Sequence, residues 1–175
     1  MFLIAIPQLG DPNFARSVVL LLHHGADGAL GLVVNHPSPL DIGRFAGEHS
    51  LPCHSSVKAV SVYRGGPVEP SRGWILHGDD AAKERQEIIP GLFVSGSIET
   101  LTNLIAAGEK PFKLLLGYAG WGPGQLESEM AQGSWLTVEP AFKHVLETPA
   151  AETWNSVLRD MGVDPTRLAV GTGIH

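Results

Sequence analysis

Three short, unbroken apolar runs near the start constrain this chain more than any other feature: Phe2 to Ile6, Ser17 to His23 and Ala29 to Asn35. Each is too short for a stable helix, and the last two are rich in β-branched residues, so all three read as strands. Pro7, Gly10 and Asp11-Pro12 close the first run. Gly25-Ala26-Asp27-Gly28 links the other two and suits a hairpin. Hydrophobicity within the runs is continuous rather than alternating, which predicts strands covered on both faces.

The remaining elements follow the same logic. Ser38-Pro39 reads as a helix start, with Ser as N-cap, Pro at the first helical position and Asp41 in the first turn; this helix ends near Gly47. Lys58 to Arg64 and Trp74 to His77 are predicted strands, separated by Gly65-Gly66-Pro67 and Arg72-Gly73. Asp79 to Gln86 is polar and reads as an exposed excursion, and Leu92 to Ser95 as a strand. Ile98 to Ala107 places Leu101, Leu104 and Ile105 on one helical face, stopped by Gly108. Phe112 to Ala119 is the expected central strand, running into a glycine-rich turn and a helix bearing Leu126 and Met130. Ser134 to Val138 is a further strand, and a helix opening at Thr148-Pro149 carries Trp154, Val157, Leu158 and Met161. The tail after Leu168 is expected to be loose. Strands come first and helices gather later, without βαβ alternation, so the chain is expected to be α+β with a mixed sheet. Its 175 residues suit one domain with a full core.

Cys53 is the only cysteine, so no internal disulfide is possible, which fits a reducing cytosol. Met1 to Ile6 lacks the basic flank of a signal peptide, and no apolar run approaches the roughly 20 residues of a spanning helix. A cytoplasmic protein without membrane contact is expected. Twelve Lys and Arg against 18 Asp and Glu leave a formal charge of −6, which argues against a protein that binds by neutralising phosphates. No helix-turn-helix pattern is visible, so direct DNA reading is not expected.

Candidate chemistry is sparse. Phe112 to Gly124 leading into Gln125 could offer backbone N–H groups to an anion. However, Pro123 has no N–H, no Lys follows as in a P-loop, and Glu127 repels phosphate, so a tight structural turn is favoured. Gly65-Gly66-Pro67 likewise reads as a hairpin or strand-crossing turn. The eight histidines and Cys53 form no ligand spacing, and no metal or cofactor is expected. Ser55 to Lys58 matches S-x-x-K but enters a predicted strand, so it is a chance match. Asp11, Arg16 and Asn35 bracket the first three strands and could converge at one sheet end. Arg16 could hold Asp11 or an anionic ligand there, with a structural ion pair the favoured reading.

Three blocks together resemble the AlgH/YqgE family of bacterial proteins over about residues 2 to 168. The first is FLIAIPQLGDPNFARSVVLLLHH with GALGLVVNHP, spanning Phe2 to Pro37. The second is VYRGGPV with RGWILH, and the third is LGYAGWGPGQLESEM, Leu116 to Met130, followed by SWL. The resemblance implies a bifurcated, partly barrel-like sheet flanked by short helices. Family members are commonly labelled transcriptional regulators, and no catalytic set or cofactor follows from that label. It makes Asp11, Arg16, Asn35, Gly65, Gly66, Gly117, Trp121, Gly122, Gln125 and Glu127 candidate binding positions. A non-enzymatic binding or regulatory module with a protein or small-molecule partner is therefore expected. The alternative is a small-molecule or nucleotide-binding enzyme using the turn at 117–127, with Gln125 orienting the ligand and Glu127 or Glu129 as acid/base.

Overall fold

The computed structural model describes residues 1–7, 12, 14–78, 84–108 and 111–170, with residues 169 and 170 described in backbone only. The three N-terminal runs are strands, as expected: β1 (Phe2–Ala5), β2 (Val18–Gly25) and β3 (Gly28–Val33). β1 lies between β2 and the late strand β10 (Trp135–Val138), antiparallel to both, and all four of its residues are buried. Because strand side chains alternate, each run feeds two cores at once. Phe2, Ile4, Val18, Leu20, Leu32 and Val34 face one core, while Leu3, Ala5, Val19, Leu21 and Val33 face the other. This is the physical content of continuous hydrophobicity in the sequence.

β4 (Pro37–Asp41) and α1 (Ile42–Glu48) correct the expected helix start at Ser38. Pro37 and Pro39 lie in a strand whose one sheet partner is β5 (Ser61–Arg64), and an edge is where a strand tolerates proline. The Ser38 hydroxyl donates to the Val62 carbonyl at 2.6 Å, and Asp41 caps the helix by accepting from the Arg44 N–H at 2.8 Å. Ser55–Val57 is one 3-10 turn rather than a strand entry.

β6 runs from Val68 to His77, so Arg72-Gly73 lies inside a strand and not in a turn. The expected excursion lies outside the described residues at 79–83, and Gln86 instead opens β7 (Gln86–Ile89), which pairs with β8 (Leu92–Ser95). α2 (Ile98–Ala107) buries Leu101, Leu104 and Ile105 as anticipated. α3 (Gln125–Ala131) follows the long strand β9 (Phe112–Trp121). A single π-helical turn, Lys143–Glu147, precedes α4 (Ala150–Asp160), and α5 (Pro165–Val170) carries helix two residues past Leu168, into the tail expected to be loose. Trp154 on α4 ties the end of the chain to its start, its indole N–H donating to the Ala5 carbonyl at 2.9 Å.

The order β10-β1-β2-β3-β9-β6-β8-β7 is open at both ends, so the mixed sheet does not close into a barrel. It forks at β9. The first half of β9 lies between β6, antiparallel, and β5, parallel, whereas its second half exchanges β5 for β3.

Candidate ligand-binding cleft

The fork is built by glycine. Gly65 lies where β5 ends: its N–H donates to the Leu116 carbonyl and its carbonyl accepts from the Val33 N–H, both at 2.8 Å. One residue thus bridges β9 to β3 just where β5 leaves. A Cβ on Gly65 would overlap the Gly117 carbonyl, and one on Gly66 would overlap the backbone between Tyr118 and Ala119. Gly117 has φ +80° and Gly66 φ +154°, conformations that side chains resist. The strand-crossing reading of Gly65-Gly66 thus describes the geometry.

Beside this crossing a cleft of about 480 Å³ opens, with walls from Val33, His36, Tyr63, Leu116 and three prolines. Ser38, Arg64 and Gly66 complete it. The volume lies in the range of small-molecule sites, roughly 300–1,000 Å³. His36 also lines a smaller neighbouring cleft of about 170 Å³, with Arg16, Asn35 and Trp154. The ring of His36 lies 3.2 Å from the Ser17 hydroxyl. Burial holds its pKa below the ordinary histidine value, with the Arg64 charge adding to the fall and a hydrogen bond to the Ala15 backbone opposing it. Ser17 is fully buried, so its hydroxyl is held against the ring.

Asn35 fastens the strand ends. It accepts from the Val18 N–H and donates to the Arg16 carbonyl, each at 2.9 Å. Asn35 and Arg16 therefore do converge, through the Arg16 backbone. The Arg16 guanidinium instead lies 5.3 Å above the Trp154 ring. Asp11 lies outside the described residues.

One layer behind the cleft wall, Lys113 is 4% exposed. Its ammonium donates to the Val34 carbonyl at 2.5 Å and lies 4.4 Å from the Tyr63 ring centroid. Burial pulls its pKa from 10.5 down to about 7 and pushes the Tyr63 hydroxyl up.

The second glycine-rich stretch is organised differently. Trp121 is buried, 6.2 Å from Phe14 and 5.9 Å from Trp135 between ring centroids. Gln125 turns back to accept from the Gly122 N–H at 3.0 Å. Glu127 pairs with His24, and its carboxyl is held below the usual range first by its own backbone N–H and then by His24. Glu129 accepts from the Trp135 indole at 3.4 Å.

Of the ten candidate positions, Gly66 lines the larger cleft and Arg16 and Asn35 the smaller one, while Gly65 and Gly117 build the fork. Trp121, Gly122, Gln125 and Glu127 lie in or beside the turn that opens α3. Sequence reasoning passed over His36, Tyr63, Arg64 and Lys113. The first three lie inside the quoted motif blocks, overshadowed by neighbouring glycines, and a single Lys within the apolar run FKLLLGYA signals a buried charge. Among the described residues, no group of three or more His, Cys, Asp or Glu could hold a metal. No described helix is long and apolar enough to cross a membrane.

An open, forked mixed sheet with short helices and a cleft at the fork defines an α+β protein whose sheet does not close into a barrel. The chain belongs to the AlgH-like DUF179 family, whose sequence pattern matches residues 2–166. It is 47% identical over 173 residues to a UPF0301 protein of Myxococcus xanthus, covering 99% of this chain and 96% of that one. A UPF0301 protein of Ruegeria pomeroyi is 38% identical, with 98% and 95% covered. The solution structure of AlgH from Pseudomonas aeruginosa superposes with a TM-score of 0.77 at 35% identity, over 99% of this chain and 94% of that one. A Corynebacterium diphtheriae protein, at 24% identity and a TM-score of 0.71, shares the fold.

Proposed function

We propose that this chain is a binding module that acts without covalent chemistry, with its ligand seated in the cleft at the fork. The observation that carries this reading is the pairing of a rigid glycine-built backbone with a small-molecule-sized cavity beside it. The hydroxyl that faces the cleft's His36, that of Ser17, is fully buried, and the described lining holds no carboxylate. Any regulatory role then runs through ligand or partner binding, since the net charge of −6 disfavours contact with nucleic acid. The single Cys53 suits a cytoplasmic setting.

A thermal-shift screen against metabolites, followed by amide chemical-shift mapping, tests the reading. A ligand at 100 times its Kd adds about 2.7 kcal/mol, and each kcal/mol moves the midpoint of a chain this size by about 2–4 °C. Shifts concentrated at Val33, His36, Tyr63 and Leu116 are expected. Shifts concentrated at Gly122 to Glu127 would favour the turn-based alternative and overturn the cleft.

A further inference from the structure

We infer that the cleft takes a small organic anion, a carboxylate or phosphate ester with an apolar body, held by Arg64 beside His36. The inference rests on the cleft being the binding site and adds the chemical class of its ligand.

Charge pairing over the rest of the molecule supplies the contrast. Arg44 reaches Glu48, Arg72 reaches Glu69, Lys143 reaches Asp160 and Arg167 leans on Asp164. Two exposed histidines do the same, His23 with Asp27 and His24 with Glu127. Pairing is common in this acidic chain, where carboxylates outnumber cations 18 to 12, without being universal: Lys58 and Arg159 make no ion pair among the described residues. Around His36 two unpaired cations come together. Arg64 and Arg16 stand on its two sides, and among the described residues neither guanidinium meets a carboxylate. The described linings of both clefts contain no Asp or Glu. Lys113 adds a third cation behind Tyr63, its ammonium already occupied by the Val34 carbonyl.

A guanidinium lacking an acid partner at the mouth of a cavity is a ready bidentate donor for carboxylate or phosphate oxygens. The other walls define the rest of the ligand. Val33, Leu116 and the prolines Pro12, Pro67 and Pro70 are apolar, and Tyr63 presents a ring. A fully hydrated inorganic ion would leave those walls unused, whereas an aromatic or branched aliphatic body would cover them. The Arg64 backbone N–H is bound to the His36 carbonyl at 2.8 Å, so guanidinium and imidazole are anchored to adjacent strand ends.

The test is an amide chemical-shift titration of the full chain with phenyl phosphate and benzoate, and with benzyl alcohol as the neutral counterpart. Saturable shifts at Val33, His36, Tyr63 and Leu116 with the anions, at least tenfold tighter than with the alcohol, are expected. Arg64→Gln should remove most of that preference and Arg64→Lys should retain part of it; Arg64 is exposed, so both variants should fold. Equal binding of alcohol and anions, unaffected by Arg64→Gln, would overturn the anion assignment and leave the cleft as a site. Failure of all three probes to shift the cleft, with Tyr63→Ala also leaving any metabolite hit from the thermal screen unweakened, would overturn both.

Discussion

The two glycine-rich stretches of this chain, Gly65-Gly66 with Gly117 and Gly120 to Gly124, look alike in sequence and are used in opposite ways. At the fork, glycine removes side chains so that backbones can cross, and the neighbouring side chains His36 and Arg64 are left facing a cavity. At the turn, the side chains close the structure themselves: Trp121 fills the core, Gln125 satisfies the Gly122 N–H, and Glu127 reaches back to His24. A glycine-rich motif is therefore informative about ligands only through what it leaves unsatisfied nearby.

The sharpest way to break this contrast is to add one methyl group in each place. Gly66→Ala drives a Cβ into the Tyr118 backbone and should cost on the order of 4 kcal/mol, enough to threaten folding. Gly124→Ala also meets a left-handed backbone, φ +74°, but its Cβ enters open space, so about 1 kcal/mol is expected. Urea unfolding of the pair reads the difference. Similar losses would mean that the fork is not sterically locked.

Behind the fork, Lys113 should give the molecule a pH signature. Its folded pKa of about 7 lies below the unfolded 10.5, so between those values the unfolded chain binds more protons. Stability should rise with pH across that window, by up to about 1.4 kcal/mol per unit, and be flat from this source below 7. Lys113→Met should abolish the slope. A slope that survives the substitution would assign it to other groups.

Asn35→Ala removes the acceptor of the Val18 N–H and the donor to Arg16, and a loss of about 2 kcal/mol is expected from the buried amide left unpaired. Gln125→Ala exposes an N–H that water can reach, so the loss should stay below about 1 kcal/mol. Neither thermal response to ligands nor amide shifts at Tyr63 should change in that last variant. If they do, turn and cleft are not independent.

Much of the architecture was legible in the residues. The three N-terminal runs announced buried strands, and Gly108 marked the end of α2 with φ +71°. Where the reading failed, tertiary pairing outweighed local chemistry. Ser38-Pro39 carries helix-start residues, yet pairing between β4 and β5 claims it. Arg72-Gly73 looks like a turn until the ladder with β9 draws it into β6. The site was legible in its scaffold and not in its lining. Gly65 and Gly66 could be singled out by type, whereas the importance of Arg64 depends on the absence of a nearby acid, a fact that no single stretch of sequence contains.

The position of β1, between β10 and β2, also bears on how the protein is made. Its residues are synthesised well before one of its two neighbours, β10, which begins at Trp135, and before Trp154, whose indole holds its end. Phe2 to Ala5 must therefore wait, apolar and half-paired, until the stretch from Trp135 to Trp154 has followed. Seating β1 is a late event in this fold, and its four apolar residues stay exposed until it occurs.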